Sequence, residues 1–174
     1  MINTKPIVVW ITGLSGAGKT TIARALSTKV NNALVIDGDD LRAERPKLGF
    51  SMQDRFSNVY HATYKAITHV SHAQGIAIVS LISPLIAMRK EAKHLVEGYS
   101  NAKFIEVYMD IPLEICELRD PKGLYKQVRA GKIENFTGID SPYETPVSPD
   151  ITISPEMTID QTVNIILDRV DNCL

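Results

Sequence analysis

The chain has 174 residues, 44% of them hydrophobic and 22% charged, an ordinary globular composition that excludes a disordered or fibrous protein and suits one domain over 1–174. Nineteen lysines and arginines stand against twenty acidic residues, a formal charge of -1, which argues against broad binding to nucleic acid or to an anionic membrane. The two cysteines, Cys116 and Cys173, are too few for a disulfide framework and lack zinc-site spacing; they read as a core thiol and a tail residue in a reducing compartment.

The start, Met1-Ile2-Asn3-Thr4-Lys5-Pro6, runs straight into an apolar stretch without the pattern of a secretory signal. No apolar run reaches the roughly eighteen residues of a membrane span, so the expectation is a cytoplasmic protein. Residues 7–12 form a continuous apolar, β-branched run, the pattern of a strand buried on both faces. Glycines at 13, 16 and 18 lead into a predicted helix over about 19–30. Leu34-Val35-Ile36 is a second short strand, closed by the acidic run Asp37-Gly38-Asp39-Asp40. Residues 42–51, with Pro46 and Gly49, read as a loop or broken helix. From 52 to 74 the apolar positions Phe56, Tyr60, Ile67 and Val70 fall at helical spacing, and Gly75 ends that helix.

Residues 76–82 are a third buried strand; a mixed helix follows Pro84 to about Val96, and 104–109 are a fourth strand. Pro112 opens a helix carrying Ile115 and Leu118. The stretch 119–149 is rich in Gly, Pro and charge and too long for a plain connection, which predicts a lid. Ile151-Thr152-Ile153 makes a fifth strand, and Ile159, Val163, Ile166 and Val170 mark a closing amphipathic helix. Strands alternating with helices imply an α/β domain: a mainly parallel five-stranded sheet with helices on both faces. Ligands of such sheets sit beyond the carboxyl ends of the strands, where the glycine-rich, acidic and lid segments all fall.

Gly13-Leu14-Ser15-Gly16-Ala17-Gly18-Lys19-Thr20 satisfies G-x-x-x-x-G-K-[ST] in full, between a strand and a helix as its mechanism demands. The glycines let successive backbone N–H groups turn toward phosphate oxygens, and the helix adds its N-terminus. Lys19 can reach the β- and γ-phosphates of ATP, and the Thr20 hydroxyl can hold Mg²⁺. These eight residues with Thr21 are the candidate ATP site. The N-K-x-D base-reading motif of switch GTPases is missing, and the third strand ends in Ser80-Leu81-Ile82-Ser83 rather than in an acid. The carboxylates after the second strand are then placed to take a proton from an acceptor hydroxyl, which suits a P-loop small-molecule kinase. His69 and His72 lie three apart on a helix but have no Cys or acidic partner at ligand spacing, so no metal site is expected there.

Beyond the phosphate loop, Asp37-Gly38-Asp39-Asp40-Leu41-Arg42, Leu48-Gly49-Phe50-Ser51 with Asp54-Arg55, and Ser80-Leu81-Ile82-Ser83-Pro84 resemble the adenylylsulfate kinase (APS kinase) family. So do 119–126, Phe136-Thr137-Gly138-Ile139-Asp140 and Pro142-Tyr143-Glu144. The resemblance implies a P-loop nucleoside-triphosphate kinase fold and, with Mg²⁺, phosphorylation of adenosine 5′-phosphosulfate (APS) by ATP to 3′-phosphoadenylyl sulfate (PAPS). A homodimer is implied too. By motif match Lys19, Asp39 and Asp37 are catalytic: Asp39 orients or deprotonates the ribose 3′-hydroxyl, and Asp37 supports the metal through water. Arg42, Arg55 and Asn58 hold the phosphosulfate end, Phe50 and Phe136 sandwich the adenine of APS, and Ser83 matches a substrate-side serine that some members phosphorylate. Lys122 and Lys126 are the candidate lid lysines.

Two stretches depart from the family pattern. Ser57-Asn58-Val59-Tyr60-His61 replaces a run with two arginines, removing positive charge near the phosphosulfate end, and Leu85-Ile86 replaces an aromatic and basic pair. The departures leave open a kinase of the same fold for another nucleotide-like acceptor, such as a cytidine diphosphate derivative. A nucleotide-binding partner subunit without turnover is the alternative of another class. Retention of the 136–140 motif favours APS, and intact Lys19, Thr20 and Asp39 favour an enzyme.

Overall fold

A computed structural model describes residues 6–49, 51–73 and 75–173. Strand β1 (Ile7–Thr12) is buried along its whole length, as its unbroken apolar run requires of a central strand. It pairs in parallel with β3 (Ile76–Ser80) on one side and β4 (Lys103–Met109) on the other. Strands β2 (Ala33–Asp37) and β5 (Ile151–Ile153) complete the order β2-β3-β1-β4-β5, every pair parallel. The chain crosses from the β2/β3 half to the β4/β5 half over β1. A crevice therefore opens at the carboxyl end of β1, where ligands of such sheets bind.

Alternation along β1 splits the core in two. Ile7, Val9 and Ile11 pack with α1 (Lys19–Ser27) and α7 (Ile159–Asp171), while Val8 and Trp10 pack with α3 (Met52–Ala73) and α4 (Ile86–Ser100). A capping box between Thr158 and Gln161 starts α7. Among the described residues no helix is long and apolar enough to cross a membrane.

Four local expectations are corrected. The acidic run after β2 is the start of a helix, α2 (Gly38–Glu44), because the Asp37 carboxylate accepts the Asp39 N–H at 2.9 Å as an N-cap. The segment expected as a loop or broken helix from residue 42 is therefore helical as far as Glu44. On α3 the buried stripe runs through Val59, Ala62, Ala66 and Val70, small enough to seat the helix on sheet and α4, and Tyr60 points outward at 46% exposure. Within 119–149 a further helix, α6 (Leu124–Arg129), follows α5 (Leu113–Arg119), with Tyr125 and Val128 buried. The helix opened by Pro112 is α5, as expected, and it carries Leu118 on its exposed side.

Candidate active site

A cleft of about 900 Å³ opens at the carboxyl end of the sheet. Its floor is the loop from β1 to α1. Gly16 has φ +77°, and a Cβ there would stand 2.8 Å from the Cys116 carbonyl oxygen, so only glycine fits. Gly18, at φ +95°, is the N-cap of α1 without a side-chain cap, which leaves the helix N-terminus to an anion. Lys19 is buried, its Nζ donating to the Leu14 carbonyl at 2.7 Å. Burial above all, with Lys122 nearby, pushes the Lys19 ammonium from 10.5 down to about 8.

The end of β2 brings Asp37 to the same place. Thr20 Oγ1 donates to Asp37 Oδ2 at 2.7 Å and lies 3.5 Å from Ser80 Oγ. Burial works against the Asp37 charge, but the hydrogen bonds from Thr20, the Asp39 backbone and Ser80 outweigh it and hold the carboxyl below its ordinary value. A hydroxyl, a second hydroxyl and one ionised carboxylate form the hard-oxygen donor set that suits Mg²⁺, which takes one or two protein ligands and fills the rest with phosphate and water. Among the described residues no group of three or more His, Cys, Asp or Glu is placed to hold a metal ion.

In the first turn of α2, the Asp39 carboxylate forms an ion pair with Lys122 from the segment before α6. Arg42, one turn on, donates to the Gly49 carbonyl at 2.8 Å, and burial followed by the neighbouring Arg55 lowers its pKa. Asp39 and Asp54 act in the opposite direction on Arg42, as Asp140 does on Arg55. Arg55, at the start of α3, also donates to Thr137 Oγ1 at 2.6 Å and to the Asn135 carbonyl, which ties α3 to the 119–149 segment. Phe136 beside them meets the Tyr125 ring edge-on, centroids 5.0 Å apart.

The cleft thus gathers most residues singled out in the sequence: 15–21 of the phosphate loop, Asp37, Asp39, Arg42, Arg55, Asn58, Ser83, Lys122 and Phe136 all line it. Leu14 lines a smaller hollow behind the loop instead, and Lys126 is exposed on α6 and does not line the cleft. Phe50 lies outside the described residues. Asn58 Oδ1 accepts Arg45 Nη2 at 2.7 Å. Ser83 is not the N-cap of α4, which is Leu85; its hydroxyl accepts Trp10 Nε1 at 3.0 Å and donates to Thr12 Oγ1 at 3.2 Å. At the departure from the family pattern, Tyr60 is exposed and His61 lies 3.2 Å from Glu44, and neither lines the cleft.

Some contacts were beyond the sequence reading. Tyr125 Oη donates to the Ser15 carbonyl at 2.9 Å, joining α6 to the phosphate loop, and Arg45 is the cation against Asn58. Arg119, Pro155 and Met157 wall the end of the cleft toward β5 and α7. Only the run 119–126 carried a local signal for any of them.

The family model for adenylylsulphate kinase matches residues 5–154. The chain belongs to the adenylylsulphate kinase family. It is 49% identical over 154 residues to the adenylyl-sulfate kinase of Pseudomonas aeruginosa, covering 86% of this chain and 76% of that one. To the probable adenylyl-sulfate kinase of Synechocystis it is 42% identical, over 97% and 96% of the two chains. The Mycobacterium tuberculosis APS kinase CysC, solved with AMPPNP and APS, superposes with a TM-score of 0.87 at 38% identity over 96% of this chain and 98% of that one. In this member of the family the cleft is assembled from both halves of the sheet, with Arg42 and Arg55 on the α2/α3 side and Met109, Ile111, Ile153 and Arg119 on the β4/β5 side.

Proposed function

We propose that the protein transfers the γ-phosphoryl group of ATP to the ribose 3′-hydroxyl of APS, giving ADP and PAPS in sulfate assimilation. Family membership over 5–154 carries the reading, since that match includes the phosphate loop, the acidic run and the lid motif. The convergence of those three on one cleft supports it.

The ATP phosphates bind the 13–20 loop and Lys19, and the donor base extends toward Pro155 and Met157, the apolar end of the cleft. The acceptor lies on the other side, over α2 and α3. There Arg42, Arg55 and Asn58 take the phosphosulfate end, and Phe136 offers its ring to the adenine, with Phe50 as its proposed partner. Lys122, which reaches Asp39, is the lid lysine assigned to the substrate in preference to Lys126. The 3′-oxygen attacks the γ-phosphorus in line: a new P–O bond forms and the bridging P–O bond to ADP breaks. The hydroxyl proton passes to the Asp39 carboxylate, while Lys19 and the loop N–H groups meet the charge on the transferred oxygens. Thr20, with Asp37 through water, would hold Mg²⁺, which when bound neutralises charge on the β- and γ-phosphate oxygens. Closure of the 119–149 lid excludes water, so transfer goes to the acceptor instead of to hydrolysis. A homodimer and a cytoplasmic setting belong to the same proposal and rest on family membership.

The test is ADP release from ATP and Mg²⁺ by the purified chain, with APS and with a cytidine diphosphate derivative as acceptors, the product identified by mass. APS-dependent release with PAPS formed is the expected result. No dependence on APS, or turnover with the cytidine compound alone, refutes the reading.

A further inference from the structure

One buried arginine lies outside the chemistry described so far. Arg89 on α4 is 3% exposed and does not line the cleft, yet its guanidinium joins three separate segments. Nε donates to Glu106 Oε1 on β4 at 2.9 Å, Nη1 to the Ser83 carbonyl at 2.7 Å and Nη2 to the Glu144 carbonyl at 2.6 Å. Its central carbon also lies 5.6 Å from the centroid of the Tyr143 ring. The segments it joins are bonded to each other. The Glu144 N–H donates to the Pro84 carbonyl at 2.8 Å, and its carboxylate accepts the Ile86 N–H at 2.7 Å. Thr12 Oγ1 donates to the Ile82 carbonyl at 2.7 Å and lies 2.9 Å from Tyr143 Oη.

At the centre of this network the backbone of Ser83 sits at φ +39°, in the left-handed region a side chain disfavours. Such a conformation persists where its surroundings over-determine it. Here the carbonyl is held by Arg89 and the hydroxyl by Trp10 and Thr12. The strained turn matters because Ile82, Ser83 and Pro84 line the cleft. They follow β3, next to β2 and α2, and so lie on the acceptor side; the donor end is walled from β5 and α7.

We propose that Arg89 is a positioning residue for the acceptor: it fixes the Ser83 turn and the Tyr143–Glu144 segment behind it, presetting the wall against which the acceptor nucleotide rests. The role rests on the APS reading given above. Lysine cannot take it over, because a single ammonium cannot reproduce a planar fork that reaches three oxygens in different directions. Thr12, at the end of β1, bonds this network, whereas the hydrogen bonds of the phosphate loop itself run to Asp37, Ser80 and Tyr125, so the larger effect falls on the acceptor.

Steady-state kinetics of the full chain with ATP, Mg²⁺ and APS tests this. Arg89→Lys should raise the KM for APS about tenfold or more while the KM for ATP stays within about twofold, a split that a general loss of packing does not produce. The double variant Arg89→Met/Glu106→Gln removes the stranded carboxylate charge, so it retains the fold should the lysine variant not; it should show the same split. A KM for APS unchanged in the folded variants, or KM values for APS and ATP rising in parallel, overturns the role of Arg89 while wild-type turnover leaves the APS reading standing. Absence of APS turnover by the wild type overturns both.

Discussion

Nucleotide binding by this protein should take up a proton through Lys19. Burial holds the Lys19 ammonium at about 8 in the nucleotide-free protein, against 10.5 for an ordinary lysine. A triphosphate in the loop places several negative charges around the same Nζ and raises the value again. At pH 8 roughly half the Lys19 side chains are neutral, so binding should take up about 0.5 proton per nucleotide, rising to about 0.9 at pH 9. The sign follows from linkage: the bound state has the higher pKa, so affinity is full below about pH 8 and falls above it, by up to about tenfold per pH unit. In the free protein the folded value lies below the unfolded one, so the lysine's contribution to stability becomes more favourable as pH rises from about 8 toward 10.5. The assay is titration calorimetry with a non-hydrolysable ATP analogue and Mg²⁺ at pH 8 and 9, each in two buffers of different ionisation enthalpy. Both lie where the triphosphate is already ionised. Lys19→Met, measured alongside, should lose the uptake. No proton uptake at pH 9 in the wild type, or equal uptake in Lys19→Met, would refute the reasoning.

Asp39→Asn should lower kcat by about 10²–10⁴, the usual range for a general base, with the fold intact; a fall of less than about threefold in turnover assays would move the role, with Asp37 next in line. Phe136→Ala should raise the Kd for APS about 5- to 150-fold by calorimetry in ADP and Mg²⁺, with nucleotide affinity little changed, since stacking on a base is worth about 1–3 kcal/mol. Tyr or Trp at that position should recover much of the loss, and unchanged APS affinity in the alanine variant rejects the stacking.

What could be read in the sequence is what neighbouring residues encode. The β1 run and the phosphate loop specify their own structure within a few residues, and both are where the spacing put them. The run at 37–40 also carried a local signal, an aspartate cap followed by acids in the first turn, but a seven-residue helix shows too little periodicity to outweigh a glycine. Tyr60 misled because the stripe on α3 selects for size as much as for apolarity: alanines at 62 and 66 let the helix approach, and the larger ring is left outside. The Arg55–Thr137 and Arg89–Glu144 bonds join residues 82 and 55 apart in sequence, and no pattern short of the fold reports such contacts.

The charge of the cleft follows the same logic as its shape. A chain with net charge -1 places Lys19, Arg42, Arg55 and Lys122 along one wall and floor, where Lys122 lowers the proton affinity of Lys19 and Arg55 that of Arg42. Asp37 and Asp39 already offset part of this charge, Asp39 through its ion pair with Lys122, and polyanionic substrates would offset more of it. Two of these cations also fasten the 119–149 segment: Arg55 holds 135 and 137, and Lys122 holds Asp39. An anion that drew Arg55 or Lys122 inward would therefore pull on residues 119–149 through the same guanidinium and ammonium groups. Under the proposed function, in which that segment closes over the cleft, charge compensation and closure are coupled through those two side chains.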